Sequence, residues 1–267
     1  MKLAIVCLHY HYLKDTIACL TSLKENLKGV DYKIFLVNNN PQEKISKKAF
    51  PKLVELIQTG ANLGFAGGNN LGIKASLALR PDFVLLINND AVVKEGFLTP
   101  LIEIFQKDPK AGLVAPAIVH YKNGKKQFGL EGHINHWLGI CRHRNLNYLP
   151  KKEIRTEFVS GCCLLIKKDV FVKVGFFPEQ YFLYFEDVDY CLQSKKAGFR
   201  IYLQPQSLVF HKQNRSFKRD INNLILNFKS NLIFVGRWFP WPKRIIASLY
   251  LILFYPGLII IRFLKQS

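Results

Sequence analysis

The chain has 267 residues, of which 49% are hydrophobic and 13% aromatic, so it can form a sizeable core and is not a disordered protein. Its 38 Lys and Arg residues against 19 Asp and Glu give a net charge of +19, which favours an anionic partner such as nucleic acid, acidic lipid or a phosphorylated substrate. The six cysteines show no zinc spacing, and the start leaves no room for a signal peptide, so we expect a reducing, cytoplasmic compartment.

Short apolar runs alternate with helical patterns along the first 120 residues. Because such alternation is typical of βαβ units, we expect an α/β domain with a Rossmann-like, mainly parallel sheet and flanking helices. The apolar runs predict strands at 3–8, 32–37, 57–58, 83–87 and 113–117. The helical patterns predict helices at 51–56, 69–79 and 96–106, and at 15–26 with Asp15 as its cap.

The second half of the chain is less regular. Residues 120–150 follow no clear period and receive no assignment. Further on, the pattern predicts helices at 169–174 and from 188 to a stop at Gly198, and strands at 200–203 and 208–210.

The strand at 83–87 is apolar without interruption, as expected of a strand buried on both faces. It ends in Asn88, Asn89 and Asp90, three oxygen-bearing side chains at the carboxyl end of the strand, where ligands bind in open α/β sheets. A carboxylate beside carbonyl oxygens suits a hard cation such as Mg²⁺ or Mn²⁺. The alternative is an ordinary Asn/Asp turn after a core strand.

A glycine-rich loop precedes the helix predicted at 69–79. Gly64, Gly67, Gly68 and Gly72 give neither a dinucleotide fingerprint nor a P-loop, since Ile73 occupies the position where a P-loop needs lysine. A glycine loop that opens a helix can still direct backbone N–H groups at a phosphate. The alternative is a tight turn between strand and helix.

Three carboxylates, Glu186, Asp187 and Asp189, stand at the start of another predicted helix. They either pair favourably with the helix dipole or, because five apolar and aromatic residues precede them, lie in a pocket wall where one acts as a general base. His211 follows the last predicted strand, where a lone histidine is more often structural than a ligand. Tyr10, after the first strand, offers a stacking surface for a base.

Together these segments resemble the inverting glycosyltransferases of family 2, which have the GT-A fold, and within them the bacterial rhamnosyltransferase-like branch. The resemblance extends over residues 2–216. The matching segments are 8–11 with Asp15 and Thr16, 37–40, 62–69, 86–90, Ser160-Gly161, 184–192, 196–198, and His211 with Ser216.

The resemblance implies a metal-assisted transfer of a sugar, with inversion, from a dTDP-, UDP- or GDP-linked donor. Asp187 would take the proton from the acceptor hydroxyl, with Glu186 beside it. Asp90 would bind Mg²⁺ or Mn²⁺ at the diphosphate, with His211 near the metal. The nucleotide sugar would be bound by Tyr10, Asn38, Asn62, Gly64, Asn69 and Asn89.

Three positions depart from the pattern of the family. Asn38 stands where many relatives carry an aspartate that contacts the base, and His11 stands where many carry an asparagine. These departures leave the choice of nucleotide open. Asn88 replaces the first aspartate of the D-x-D metal motif, a change that is common in this branch.

The chain after residue 220 differs in composition from the part before it. A basic and aromatic helical stretch at 221–239 is broken by prolines and followed by 245–261, seventeen residues without a charge and with basic residues on both sides. We therefore expect a transferase domain at 1–220 and, at 221–267, a hydrophobic or amphipathic helical tail on the cytoplasmic, anionic surface of the cell membrane. The alternatives are a single span, which needs roughly 17–25 residues, and a buried core helix.

The expected function is transfer of a sugar, with rhamnose the first candidate, to a glycan or a polyprenyl-diphosphate-linked acceptor in the synthesis of a bacterial surface polysaccharide. The alternatives are a transferase of the same fold with a soluble or protein acceptor, and a non-catalytic scaffold that binds a nucleotide sugar. No nucleic-acid-binding motif is recognisable in the sequence, so nucleic acid is not an expected partner.

Overall fold

The computed structural model describes residues 1–122, 124–212 and 221–263. Within them, eleven strands form one mixed sheet that has helices on both faces. The strands are β1 (Lys2–His9), β2 (Asp31–Asn38), β3 (Val54–Gln58), β4 (Phe83–Asn88), β5 (Ala91–Val93), β6 (Ala111–Lys122), β7 (Lys125–Asn135), β8 (Ile140–Leu146), β9 (Ile154–Arg155), β10 (Cys163–Lys167) and β11 (Arg200–His211). The helices are α1 (Leu13–Asn26), α2 (Gly64–Leu77), α3 (Leu98–Lys107), α4 (Lys168–Val174), α5 (Glu186–Lys196), α6 (Ile221–Trp238) and α7 (Lys243–Phe263).

The strand order β3-β2-β1-β4-β10-β6-β11-β5 places four parallel strands, β3, β2, β1 and β4, side by side. β10 is antiparallel to β4 and β6, whereas β6 and β11 are parallel. The expected α/β class with a mainly parallel sheet is therefore confirmed. Because β1, β2 and β4 end at the same edge, His9, Asn38 and Asn88 occupy neighbouring positions there.

Strand β4 is buried on both faces, as its uninterrupted apolar run predicts. Val84 and Leu86 are fully buried in the core that also contains residues of α2. Leu85 and Ile87 are buried in the core on the other face, which contains residues of α1. This double burial fixes the position of residues 88–90, which follow the strand.

Residues 51–56 do not form the predicted helix. β3 occupies part of this stretch and pairs in parallel with β2, so that Val54 lies opposite Ile34. A short 3-10 turn, Lys47–Ala49, precedes it. The prediction was wrong because the hydrogen bonds and the burial that β2 provides come from a distant part of the chain and outweigh local propensity.

Two other boundaries differ from the predicted ones. α1 begins at Leu13, so Asp15 is not its cap; the Asp15 carboxylate instead lies 2.6 Å from Lys212 Nζ. The strands predicted at 200–203 and 208–210 are parts of one strand, β11, whose register with β6 shifts around Pro205. Proline has no N–H for the ladder, which explains why the sequence pattern breaks there.

Residues 120–150, which received no assignment, form an antiparallel extension of the sheet. β7 pairs with β6 on one side and with β8 on the other. Phe128, Leu130 and Ile134 of β7 are buried, but the register with β8 shifts between Gly129 and Gly132. That irregularity interrupts the alternation of apolar and polar residues by which a strand is recognised.

Helices α6 and α7 pack against the rest of the protein. Phe234 of α6 is fully buried, with its ring centroid 5.2 Å from that of Phe185. Ser230 Oγ donates to the carbonyl of Leu183 at 2.8 Å, and Leu251 of α7 is buried in the same core. Within the described ranges, no helix is long and apolar enough to cross a membrane.

An ion pair connects α6 to α5. Arg237 Nε lies 3.2 Å from Oδ2 of Asp189, whose side chain is completely buried. The same carboxylate accepts hydrogen bonds from Tyr181 Oη and Gln193 Nε2, both at 2.7 Å. Burial and the neighbouring carboxylate raise the pKa of Tyr181, which keeps this phenol a hydrogen-bond donor.

Replacing Arg237 by leucine should destabilise the protein by about 1–3 kcal/mol, because the buried Asp189 carboxylate loses its opposite charge. Lys229 is exposed on the same helix, so Lys229→Leu is the matched control, and we expect it to change stability by less than about 0.5 kcal/mol. The measurement is urea-induced unfolding of both variants and of wild type. Equal midpoints for the two variants would contradict a stabilising role for the ion pair.

Candidate functional site

Asn89 connects the end of β4 to the segment that follows β1. Its Nδ2 donates to the carbonyl of His11 at 2.8 Å and to Thr16 Oγ1 at 3.0 Å. Tyr10 lies in this segment, with 39% of its surface exposed and its ring centroid 4.1 Å from that of His11. The segment is therefore held in place while one face of an aromatic ring remains accessible for stacking.

Asn38 is buried at the end of β2, and the protein itself engages its amide. Nδ2 donates to the carbonyl of Glu43 at 2.7 Å and to Gln58 Oε1 at 2.8 Å, while Oδ1 accepts from the backbone N–H of Asn40 at 3.1 Å. The side chain thus fixes the turn after β2. Its contact with a nucleotide base stays a prediction.

The glycine loop starts α2 at Gly64, earlier than the predicted start at residue 69. Amide side chains satisfy its first N–H groups, because Asn62 Oδ1 accepts from Gly64 and Asn39 Oδ1 accepts from Leu63, each at 3.0 Å. Asn69 lies farther along the helix, where its Nδ2 donates to the carbonyl four residues earlier at 2.9 Å. These side-chain hydrogen bonds leave no periodic pattern in the sequence. The prediction relied on periodicity and therefore placed the start of the helix too late.

Gly64 is also where this loop comes closest to the segment 181–185. Its φ is +70°, and a Cβ at this position would lie 2.1 Å from the carbonyl oxygen of Phe182. The N–H of Phe65 donates to the same oxygen at 2.9 Å. Since the clash would be with backbone rather than with a flexible side chain, only glycine fits here.

Asp187 lies in the first turn of α5, where two backbone N–H groups orient its carboxylate. Oδ2 accepts from Gly161 at 2.9 Å and Oδ1 accepts from Val188 at 2.8 Å. The two residues before the helix, Tyr184 and Phe185, have φ values of 71° and 68°, in a region that costs energy for residues other than glycine. Strain and hydrogen bonding together set the direction of this carboxylate.

Glu186 precedes it in the sequence but has different surroundings. Its side chain is buried, and Oε2 has no hydrogen-bond partner in the part of the chain that the structure describes. Burial, and then the charge of Asp187, raises the pKa of Glu186 well above its ordinary value. Glu186 therefore keeps its proton at a pH at which an ordinary glutamate has lost it.

Asp90 and His211 are in direct contact, with Oδ1 and Nε2 2.9 Å apart. Antiparallel pairing of β5 with β11 brings them together, and the N–H of Lys212 donates to the carbonyl of Asp90 at 3.1 Å. Burial acts to lower the pKa of His211, but the Cys162 thiol and the Asp90 carboxylate raise it, and the net shift is well upward. Ser216, which the family pattern places with His211, lies outside the described residues.

Asp90 offers a carboxylate oxygen, and His211 offers an imidazole nitrogen once the proton that it shares with Asp90 has left, because the raised pKa keeps the imidazole protonated in the free protein. Nowhere in residues 1–122, 124–212 and 221–263 do three His, Cys, Asp or Glu side chains form a group that could hold a metal ion. Mg²⁺ and Mn²⁺ accept one or two protein ligands when phosphate oxygens and water complete the coordination. The pair therefore fits a cation that binds together with a diphosphate.

Asn88, Glu186, Asp187 and His211 line one cleft with a volume of about 670 Å³. The predicted base and one member of the Asp90–His211 pair thus face the same cavity. The other predicted side chains lie outside its lining; they are Tyr10, Asn38, Asn62, Gly64, Asn69, Asn89 and Asp90.

The opposite wall of the cleft was not predicted from the sequence. It is formed by Ile118 and His120 of β6, which follow the predicted strand at 113–117, and by β7 and β8, from the stretch that received no assignment. Helices α6 and α7, from the tail assigned to the membrane, complete it. Asn227 and Asn231 of α6 line it, together with Tyr255 of α7. One signal was available, because Asn227 and Asn231 are four residues apart and therefore lie on one face of a helix.

Comparison with known proteins gives concordant results. Residues 2–225 match the family described as "Glycosyltransferase like family 2". The N-acetylglucosaminyl-diphospho-decaprenol L-rhamnosyltransferase of Mycobacterium tuberculosis is 31% identical over 217 residues, which are 72% of this chain and 71% of that protein. Rhamnosyltransferase WbbL of Escherichia coli is 28% identical over 230 residues, which are 78% of this chain and 83% of that protein.

The fold has close counterparts among solved structures. The crystal structure of GalNAc-T7 with UDP, GalNAc and Mn²⁺ superimposes with a TM-score of 0.67 over 91% of this chain and 48% of the GalNAc-T7 chain. The two share 12% sequence identity, so this likeness shows the fold alone. The family match, the relatives and the sheet topology lead to one conclusion: the chain belongs to glycosyltransferase family 2 and has the GT-A fold.

Proposed function

We propose that the protein is an inverting glycosyltransferase that moves a sugar, with rhamnose the first candidate, from a nucleotide-diphosphate donor to a hydroxyl of a lipid-linked or polysaccharide acceptor in bacterial surface glycan synthesis. The observation that carries the proposal is the Asp187 carboxylate, which two N–H groups orient at the wall of a cleft that His211 also lines. A base, and beside it a residue pair for the cation that accompanies the diphosphate, are what this reaction requires.

In the proposed reaction, Asp187 takes the proton of the acceptor hydroxyl. The oxygen attacks the anomeric carbon from the face opposite the diphosphate, so a new C–O bond forms, the bond to the diphosphate breaks, and the configuration inverts. The N–H groups of Gly161 and Val188 keep the carboxylate in one orientation during this step. Glu186, kept neutral by burial, places no second negative charge beside the base.

The donor would lie at the edge where β1, β2 and β4 end. The exposed ring of Tyr10 would stack on the base, and the loop that opens α2 at Gly64 would border the ribose and phosphates. The N–H groups of residues 63–65 already have partners within the protein, so this loop would border the donor without donating these three groups to it. Asp90 and His211 would hold Mg²⁺ or Mn²⁺, which would supply positive charge for the departing diphosphate. The remaining predicted residues support the turns around the donor; they are Asn38, Asn62, Asn69 and Asn89.

The names of the relatives suggest the class of acceptor. The M. tuberculosis relative is named for an acceptor in which N-acetylglucosamine is joined through a diphosphate to decaprenol, and both relatives are named rhamnosyltransferases. For this chain we propose a saccharide on a polyprenyl diphosphate, and N-acetylglucosamine linked in that way is the first acceptor to try. The donor nucleotide is dTDP, UDP or GDP, and UDP is present in the GalNAc-T7 structure.

The outer face of α7 supports binding to a membrane surface. Leu249 and Leu253 are 56% and 77% exposed, and Trp241, just before the helix, is 75% exposed. At 100° per residue, the two leucines lie on the side of the helix opposite the buried Leu251. Lys243 adds a positive charge at the start of this helix, in a chain of net charge +19. We therefore place α7 in the surface of the cytoplasmic, anionic leaflet, with its axis along the membrane.

Donor binding can be tested without an acceptor. With Mn²⁺ present, dTDP-rhamnose or one UDP- or GDP-linked sugar should raise the thermal unfolding midpoint, since a ligand at 100 times its Kd stabilises by about 2.7 kcal/mol. Asp90→Asn should lose the Mn²⁺-dependent part of this shift. Asp31→Asn, at the exposed start of β2, is the matched control and should keep it.

If saturating concentrations of these nucleotide sugars leave the wild-type midpoint unchanged, the proposed donor site is wrong. If Asp90→Asn keeps the full Mn²⁺-dependent shift, Asp90 is not a metal ligand.

Membrane binding can be measured by sedimentation with vesicles of phosphatidylcholine containing about 30% phosphatidylglycerol. Leu249→Glu with Leu253→Glu should reduce binding roughly 100-fold or more, because each leucine contributes about 1.5–3 kcal/mol when buried. Val172→Glu is the control, since Val172 is 84% exposed on α4. A double variant that binds as well as the control would show that α7 does not contact the lipid.

A further inference from the structure

Three polar side chains form a group in the wall of the cleft that α6 and α7 provide. Tyr255 Oη donates to Asn227 Oδ1, and Asn231 Nδ2 lies within 3.5 Å of Tyr255 Oη as its donor. All three residues line the cleft. Their neighbours in the wall, Leu251 and Phe254, are apolar. The polar groups that α6 and α7 contribute to the cleft therefore lie together, beside two apolar side chains.

The side-chain amide of Asn231 uses only one of its two polar atoms in hydrogen bonds within the described residues. Its side chain is 3% exposed, yet Oδ1 has no hydrogen-bond partner among the residues that the structure describes. An unpaired buried amide atom costs about 1–3 kcal/mol, and water or a ligand in the cleft would remove that cost by pairing with it. Rotating the amide by 180° would leave Nδ2 unpaired instead, and a hydroxyl can satisfy either atom because it both donates and accepts.

The same cleft contains two more buried polar atoms of this kind. Across the described ranges, five buried side-chain nitrogen or oxygen atoms have no partner, and three of them belong to residues that line the cleft: His120 Nδ1, Glu186 Oε2 and Asn231 Oδ1. Glu186 adjoins the proposed base, whereas Asn231 lies on α6. A ligand that carries hydroxyl groups, as a sugar does, can donate to or accept from an unpaired atom of either kind.

We propose that the α6–α7 wall is the acceptor site and that Asn231, supported by Tyr255 and Asn227, binds a hydroxyl group of the acceptor sugar. This inference rests on the proposed transferase function. Asn231 then selects the acceptor. A sugar with a hydroxyl at the right position forms a hydrogen bond with the unpaired amide atom, whereas a sugar that lacks this hydroxyl leaves a buried polar atom unpaired. The C-terminal helices thus belong to the substrate-binding surface.

The test compares Asn231→Leu with Asn222→Leu. Asn222 is exposed on α6 and nine residues away, which places it on the opposite side of the same helix. Transfer is measured with N-acetylglucosamine linked to a polyprenyl diphosphate, together with slow hydrolysis of the donor in the absence of acceptor. Asn231→Leu should raise the KM for the acceptor about tenfold or more and leave the KM for the donor and donor hydrolysis unchanged.

The unfolding midpoint of the free protein tests Asn231→Leu in a second way. Because the amide is unpaired in the free protein, we expect its replacement by an apolar side chain of similar size to leave the unfolding midpoint unchanged or to raise it. Tyr255→Phe, which removes only the hydroxyl, should also raise the KM for the acceptor without altering donor hydrolysis.

Two results would overturn the inference and leave the proposed function standing. One is an acceptor KM for Asn231→Leu equal to that of Asn222→Leu. The other is a large drop in the unfolding midpoint of Asn231→Leu together with loss of donor hydrolysis. In both cases wild type still transfers sugar. If wild type transfers no sugar to this acceptor from dTDP-, UDP- or GDP-linked donors, the proposed function fails and the inference fails with it.

Discussion

The backbone contact between Gly64 and Phe182 is the constraint on which the arrangement of the site depends. The N–H of Phe65 donates to the Phe182 carbonyl at 2.9 Å, and the space beside Gly64 is too small for a Cβ. One side of this contact is the loop that opens α2 at the edge of the parallel strands, and the other is the segment that leads into Asp187. A hydrogen bond between two backbone groups therefore sets the distance between the proposed base and the loop that would border the donor.

Helix α6 supports the same segment from the other side. Ser230 binds the carbonyl of Leu183, Phe234 packs on Phe185, and Arg237 pairs with the buried Asp189 of α5. The strained residues 184 and 185 are thus held between two rigid elements, as strain at functional sites requires.

α7 adds a connection to the proposed lipid-linked acceptor. An α-helix is about 10–12 Å across with its side chains, so a membrane on the outer face of α7 would lie one helix diameter from the cleft.

Features that depend on local sequence were predicted well, and those that depend on distant partners were not. The continuous apolar run of β4 predicted a strand buried on both faces, because that signal lies within one short stretch. The binding roles of the polar residues after the strand stay predictions. The helix at 51–56 was wrong because β2 supplies the hydrogen bonds that make this stretch a strand. Asp15 was assigned as a cap although it pairs with Lys212, almost 200 positions away. Asp90 and His211 come into contact through the pairing of β5 with β11, and their role at a metal stays a prediction of the family resemblance. The spacing of Asn227 and Asn231 places both on one face of α6, but what that face meets depends on how α6 packs.

The most direct test of the account is the effect of Asp187→Asn on sugar transfer and on donor binding, measured on the same preparation. Asparagine keeps the shape of the side chain but cannot take a proton, so we expect transfer to fall about 10²–10⁴-fold while donor affinity stays within about twofold of wild type. Transfer that stays within about threefold of wild type would show that Asp187 is not the base. A wild-type protein that binds the donor but transfers nothing would favour the non-catalytic scaffold instead.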